Sequence, residues 1–166
     1  MTLIQNLLDQ SKEAEIKTLS SLDKQRIEHS ACAYKDQAIY IIGGATRTLK
    51  VHNSQKSVFC YRIDQNKFFD APSLHRKRSN PGTCLLSGKL YAFGGWEGMT
   101  NSCISSIEIL DVESQADAWV LFNYDHIIGR ESPIISPLNE NQMLIAGGSK
   151  RKKTSGNEYI LDAYIL

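Results

Sequence analysis

No apolar run in this sequence is long enough to cross a bilayer, so no membrane-spanning helix is expected. Nor is there a surplus of charge of either sign. Nineteen Lys and Arg stand against eighteen Asp and Glu, so no long-range field for nucleic acid or a membrane surface is expected. The opening MTLIQNLLDQSK lacks a basic start, and Gln5, Asn6 and Asp9 interrupt its apolar residues, which makes it a poor secretory leader. Asn-x-Ser/Thr is absent. The cysteines, Cys32, Cys60, Cys84 and Cys103, form no Cys-x-x-Cys pair and have no histidine at zinc-ligand spacing. They read as reduced, partly buried thiols of a cytoplasmic protein.

Signatures of chemistry are missing as well. His29, His52, His75 and His126 stand in no His-Glu-x-x-His array, and there is no Gly-x-Ser-x-Gly elbow, P-loop or dinucleotide fingerprint. No catalytic residue, metal ligand or cofactor is therefore expected.

What is present is a repeat. AIYIIGG, KLYAFGG and MLIAGG each end an apolar run in a glycine pair: Gly43-Gly44, Gly94-Gly95 and Gly147-Gly148. The pairs are 51 and 53 residues apart. Arg26, Arg78 and Arg130 precede them by 17, 16 and 17 residues. Between arginine and glycine lie a small residue (Cys32, Cys84 or Ser136) and a polar turn, the pattern of a β-hairpin. After the glycines, SVFCYRIDQ and SSIEILDVE read as strands, followed by a second strand with an aromatic, Phe68 or Trp119. Each unit is thus a meander of four short strands, and such units repeated around an axis make propeller blades. Glycine reaches positive φ without penalty and lets a neighbouring chain pack against the backbone, so the pairs are assigned to holding the fold.

In Arg26-Ile-Glu-His29, Arg78-Ser-Asn-Pro81 and Arg130-Glu-Ser-Pro133, with the in-phase glycine pairs, the chain resembles the kelch repeat over nearly its whole length. The family's tyrosine-to-tryptophan spacing is kept as Tyr61 to Phe68; in the next unit Trp119 is present and Ile109 or Leu110 stands in for the tyrosine. The resemblance implies an all-β fold, a partial propeller of four-stranded antiparallel blades. Residues 1–25 are read as the outer two strands of an incomplete blade, 26–77 and 78–129 as repeats, and 130–166 as an incomplete repeat whose last strand is EYILDAYIL. Two identical copies, or the rest of a longer chain, would complete a ring.

Rigid blades with variable loops suit protein binding. The connections 45–57, 96–105 and 149–157 carry Arg47, Lys50, His52, Trp96 and the basic run Lys150–Lys153, and an exposed tryptophan and arginines are common interface anchors. In kelch adaptors, arginines at blade junctions contact acidic segments of a partner; the resemblance gives that place to Arg26, Arg78 and Arg130, and bracing of loop carbonyls is the competing role. The expected function is a non-catalytic protein-interaction module, the substrate-recognition part of a larger adaptor. The rival is a fragment of a propeller enzyme acting on sugars, galactose-oxidase-like or sugar-isomerising; for the oxidase the sequence offers only Cys60-Tyr61, neighbours on a strand that point to opposite faces.

Overall fold

The computed structural model describes residues 20–22, 25–47, 52–151 and 156–166. Nearly all of the segment 1–25, assigned above to an incomplete blade, lies outside the described residues, as do Lys50 and, of the basic run, Lys152 and Lys153.

The described chain is all-β. The first blade comprises β1 (Ser30–Tyr34), β2 (Ala38–Ile42), a ribbon of β3 (Ala45–Arg47) and β4 (His52–Ser54), then β5 (Val58–Arg62) and β6 (Lys67–Ala71). The second repeats it with β7 (Gly82–Leu86), β8 (Lys89–Phe93), the ribbon β9 (Trp96–Glu97) and β10 (Ser102–Cys103), β11 (Ile107–Asp111) and β12 (Val120–Phe122). The third has β13 (Ile134–Pro137), β14 (Met143–Ala146), the ribbon β15 (Ser149–Arg151) and β16 (Asn157–Tyr159), and β17 (Ala163–Ile165). The sheets run β1-β2-β5-β6, β7-β8-β11-β12 and β13-β14-β17, all antiparallel.

Two expectations need correction. The connections after the glycine pairs are not plain loops; each folds back on itself as a two-stranded antiparallel ribbon, which gives its backbone groups partners. EYILDAYIL is not one strand. Its start pairs with β15 in the ribbon, and only Ala163–Ile165 joins the blade. The hairpin turns obey backbone chemistry: Ser87 and Gly88, with φ of 47° and 73°, form the two-residue loop between the paired Leu86 and Lys89.

The core lies between blades. Ile42, Val58 and Leu74 of the first blade meet Leu90, Ala92, Leu110 and Trp119 of the second. Cys84, Phe93 and Ile107 of the second meet Ile135, Met143 and Ile145 of the third. Burying each large apolar side chain contributes about 1.5–3 kcal/mol, so the blades hold one another up. Leu110 is the residue in the tyrosine's place: it pairs with Leu90 as Tyr61 pairs with Ile39. Trp119 fills the wedge and donates its indole N–H to Pro72 O at 2.7 Å. Phe68 instead lies half-buried against Tyr61, ring centres 5.0 Å apart.

The glycine pairs sit where blades touch. Gly43 and Gly44 have φ of 64° and 95°. A Cβ on Gly43 would lie 2.5 Å from Arg78 O, and one on Gly94 would lie 2.5 Å from Arg130 O. Any side chain would therefore force the next blade away.

Candidate functional site

Three equivalent arginines open the three blades, and their surroundings differ. Each sends a guanidinium N–H to the carbonyl of its blade's first glycine: Arg26 to Gly43 O at 2.9 Å, Arg78 to Gly94 O at 2.7 Å, Arg130 to Gly147 O at 3.1 Å. Beyond that shared bond they diverge, because the strand residue beneath them changes. Glu108 faces Ala92, Phe59 faces Ile41 and Tyr164 faces Ile145, one position in three sheets.

In the second blade that residue is a carboxylate. Arg78 Nε donates to Glu108 Oε1 at 2.9 Å, its terminal nitrogens reach Ser106 O and Ser106 Oγ, and both ionic side chains are fully buried. Glu108 also accepts the backbone N–H groups of His75 and Arg76. Such complete pairing is what makes a buried ion pair tolerable. In the third blade Arg130 lies over the Tyr164 ring at 5.5 Å, pairs with Asp162, and donates Nε to Ile128 O at 2.9 Å. Arg130 holds the Asp162 carboxyl below its usual range.

In the first blade the residue is aromatic. Arg26 stands over the Phe59 ring at 4.9 Å and donates to Ser57 O at 3.2 Å. Its Nε is buried with no hydrogen-bond partner among the described residues, and no carboxylate there pairs with it. Burial alone lowers its pKa, with no acid to oppose the shift. Arg26 lines an open groove of about 430 Å3 with Gln25, Thr46, Arg47, Gln55 and Ser57. Arg47 is exposed at the end of β3 and holds no ion pair among the described residues. At the opposite end of the blades a second groove is lined by Asp36, Asp64 and Glu113, which would repel an anion.

The assignment of all three arginines to a partner is therefore corrected. Arg78 and Arg130 are 0% exposed and their guanidinium groups are turned into their own blades. Trp96, expected to be exposed, is 6% exposed. Arg151 of the third blade's ribbon stacks on its ring at 4.0 Å, and His52 of the first blade's ribbon meets it edge-on at 4.9 Å. Glu131 and Glu28 hold Arg151 and His52 in turn. Trp96 thus staples three ribbons together.

Sequence reasoning missed Glu108 and Asp162. A glutamate between two isoleucines of a strand points to the opposite face from them and reads as solvent-facing, so no local signal marked Glu108 as buried. Tyr61 and Cys60 do not gather a redox centre: Tyr61 packs on Phe68, whereas Cys60 pairs across the sheet with Tyr40. All four cysteines are free, and no three His, Cys, Asp or Glu converge as metal ligands among the described residues.

The repeating arginine clamps and glycine contacts agree with the comparisons. The model of the Kelch motif matches residues 77–119, the second blade. The chain is a kelch-repeat protein. Similar proteins include Kelch-like protein 28 of Homo sapiens, 32% identical over 86 residues, which are 49% of this chain and 15% of that protein. A putative F-box/kelch-repeat protein of Arabidopsis thaliana is 29% identical over 134 residues, 75% of this chain and 35% of the relative. Alpha-scruin of Limulus polyphemus is 30% identical over 98 residues, 57% of this chain and 11% of the relative. The kelch chain thus spans a minor part of each relative's length. No helix among its described residues is long and apolar enough to cross a membrane.

Proposed function

We propose that this chain is a non-catalytic protein-interaction module, the recognition part of an adaptor, and that its groove at Arg26 and Arg47 takes an acidic segment of a partner protein. The observation that carries this reading is the missing carboxylate. Glu108 neutralises Arg78 from within, whereas Phe59 leaves Arg26 with an unused, desolvated N–H beside an open groove. A guanidinium fork binds a carboxylate through paired hydrogen bonds, and Arg47 adds a second cation at the rim. Gln25 offers an amide for the partner's backbone, and the Gln55 amide, which donates to Thr46 Oγ1 and Asn53 O, leaves its carbonyl facing the groove as an acceptor. The F-box/kelch-repeat relative supports the adaptor reading, since its name couples these repeats to a second kind of segment.

The test is fluorescence anisotropy with a labelled peptide carrying adjacent glutamates, against the same peptide with glutamines. The acidic peptide should bind more tightly, lose affinity with salt, and lose it about tenfold or more in Arg47→Glu and Arg26→Met. Equal binding of both peptides, or no effect of either substitution, would sink the proposal.

A further inference from the structure

Successive blades are joined by the same three backbone hydrogen bonds. At the first junction Arg78 N donates to Gln55 O, Gly44 N to Arg78 O, and Asn80 N to Glu28 O, at 3.0, 2.7 and 2.7 Å. At the second, Arg130 N donates to Ile104 O, Gly95 N to Arg130 O, and Ser132 N to Asn80 O, at 3.3, 2.8 and 2.8 Å. Glu28, Asn80 and Ser132 share a left-handed backbone, with φ of 56°, 49° and 53°, which aims these groups from blade to blade.

The far side of the third blade carries the same three groups without partners among the described residues: Ile160 O, Gly148 N and Ser132 O. The near side of the first blade carries their complements, Arg26 N, Arg26 O and Glu28 N, also without partners there. Gly43, Gly44, Gly94 and Gly95 are buried, whereas Gly147 and Gly148 are partly exposed. A Cβ on Gly147 would meet nothing nearer than Ile160 O at 3.8 Å.

Side-chain size follows the same logic. Ser30, Gly82 and Ile134 occupy one position of the inner strands. At the first junction Ser30 meets Thr83, whose hydroxyl donates to it at 2.9 Å. At the second, Gly82 meets Ile135, which comes so close that a Cβ would lie 2.7 Å away. At this second junction a large residue is matched by a small one. Ile134 is large and 63% exposed, and Ile165, on the other outer strand of the same sheet, is 60% exposed. The residue on the first blade that corresponds to Thr83 and Ile135 is Ala31, small and exposed.

We infer that the far face of the third blade docks the near edge of the first blade of a second copy, head to tail. Ile134 then covers Ala31, Gly148 N donates to Arg26 O, Arg26 N to Ile160 O, and Glu28 N to Ser132 O. This contact continues an interface the fold already uses twice, and both halves of it are carried by one chain. It is heterologous, so it either closes on itself or propagates. It does not rest on the proposed peptide groove, but it would cover Arg26 as the existing junctions cover Arg78 and Arg130, so an acidic peptide would compete with it.

The experiment is sedimentation of residues 1–166 over a concentration range, with wild type, Ala31→Arg and an equimolar mixture of Ile134→Cys and Ala31→Cys chains treated with a short bis-maleimide. Wild type should show at least twice the chain mass, and Ala31→Arg should sediment as a single chain with unchanged circular dichroism. The mixture should cross-link above the level of either variant alone and of wild type. A single-chain mass for wild type at every concentration, unchanged association of Ala31→Arg, or cross-links only between like copies would each overturn the inference. Both sites are exposed, so the variants retain the fold, and peptide anisotropy on Ala31→Arg separates failure here from failure of the groove.

Discussion

The first and second blades carry the same arginine on the same backbone frame, yet one is sealed and the other is open. Arg78 and Glu108 neutralise each other in the interior. Arg26 has an aromatic ring beneath it and a groove beside it. A repeat thus preserves the bond that builds the blade, arginine to glycine carbonyl, and varies the residue beneath, which decides whether the cation is neutralised from within or faces an open groove.

The sharpest way to break that contrast is to remove the acid. Glu108→Ala strands a buried guanidinium and should cost about 3–5 kcal/mol, read by urea denaturation. The double variant Arg78→Met with Glu108→Leu should recover most of the loss, since a buried pair can be replaced by apolar groups of similar volume. A double variant as unstable as the single one would show that the loss lies in packing. Arg26→Met, by contrast, removes bonds from a half-buried cation with no acid partner, and should cost about 1–2 kcal/mol in the same denaturation experiment. A cost equal to that of Glu108→Ala would erase the distinction between the two blades.

The aromatic wedge sharpens the comparison further. Trp119→Phe gives the second blade the residue that the first carries naturally at Phe68. It leaves Pro72 O without its donor and should cost about 1 kcal/mol beyond the loss of ring volume, seen as a lower melting temperature. The smallest effect concerns pH. Burial pushes the Cys84 thiol up to about 12. The unfolded chain releases this proton near the ordinary thiol value while the fold retains it, so this contribution is intact below that value and is lost as pH rises toward 12. Alkylation at pH 8 should accordingly leave Cys84 unmodified while the protein is folded.

How much was legible in the sequence varied with the range of the interaction. Gly43-Gly44 and its two repeats were readable because a left-handed backbone against a neighbouring chain admits little else. Strands such as AIYII and KLYAF were readable from apolar runs closed by turns. Trp96 was misread as exposed, since a ring in a polar connection looks free until His52 and Arg151, on two other ribbons, are seen to cover it. The arginines were placed along the chain and their bracing of backbone carbonyls was foreseen as one of two roles, but the residue beneath each was not, because Glu108 lies 30 residues from Arg78 and Phe59 lies 33 from Arg26.

The sequence by itself determined the kelch repeat, the all-β blades and the arginine-to-glycine frame. Those follow from local backbone preferences and from a period that recurs along the chain. Only the tertiary structure decided which arginine lacks an acid partner among the described residues, that Trp96 is a staple, and which junction groups of the first and third blades have no partner there. Each of those depends on which side chain stands beneath or beside another across strands and blades, and the free energy of a buried charge is set by those neighbours rather than by its place in the repeat.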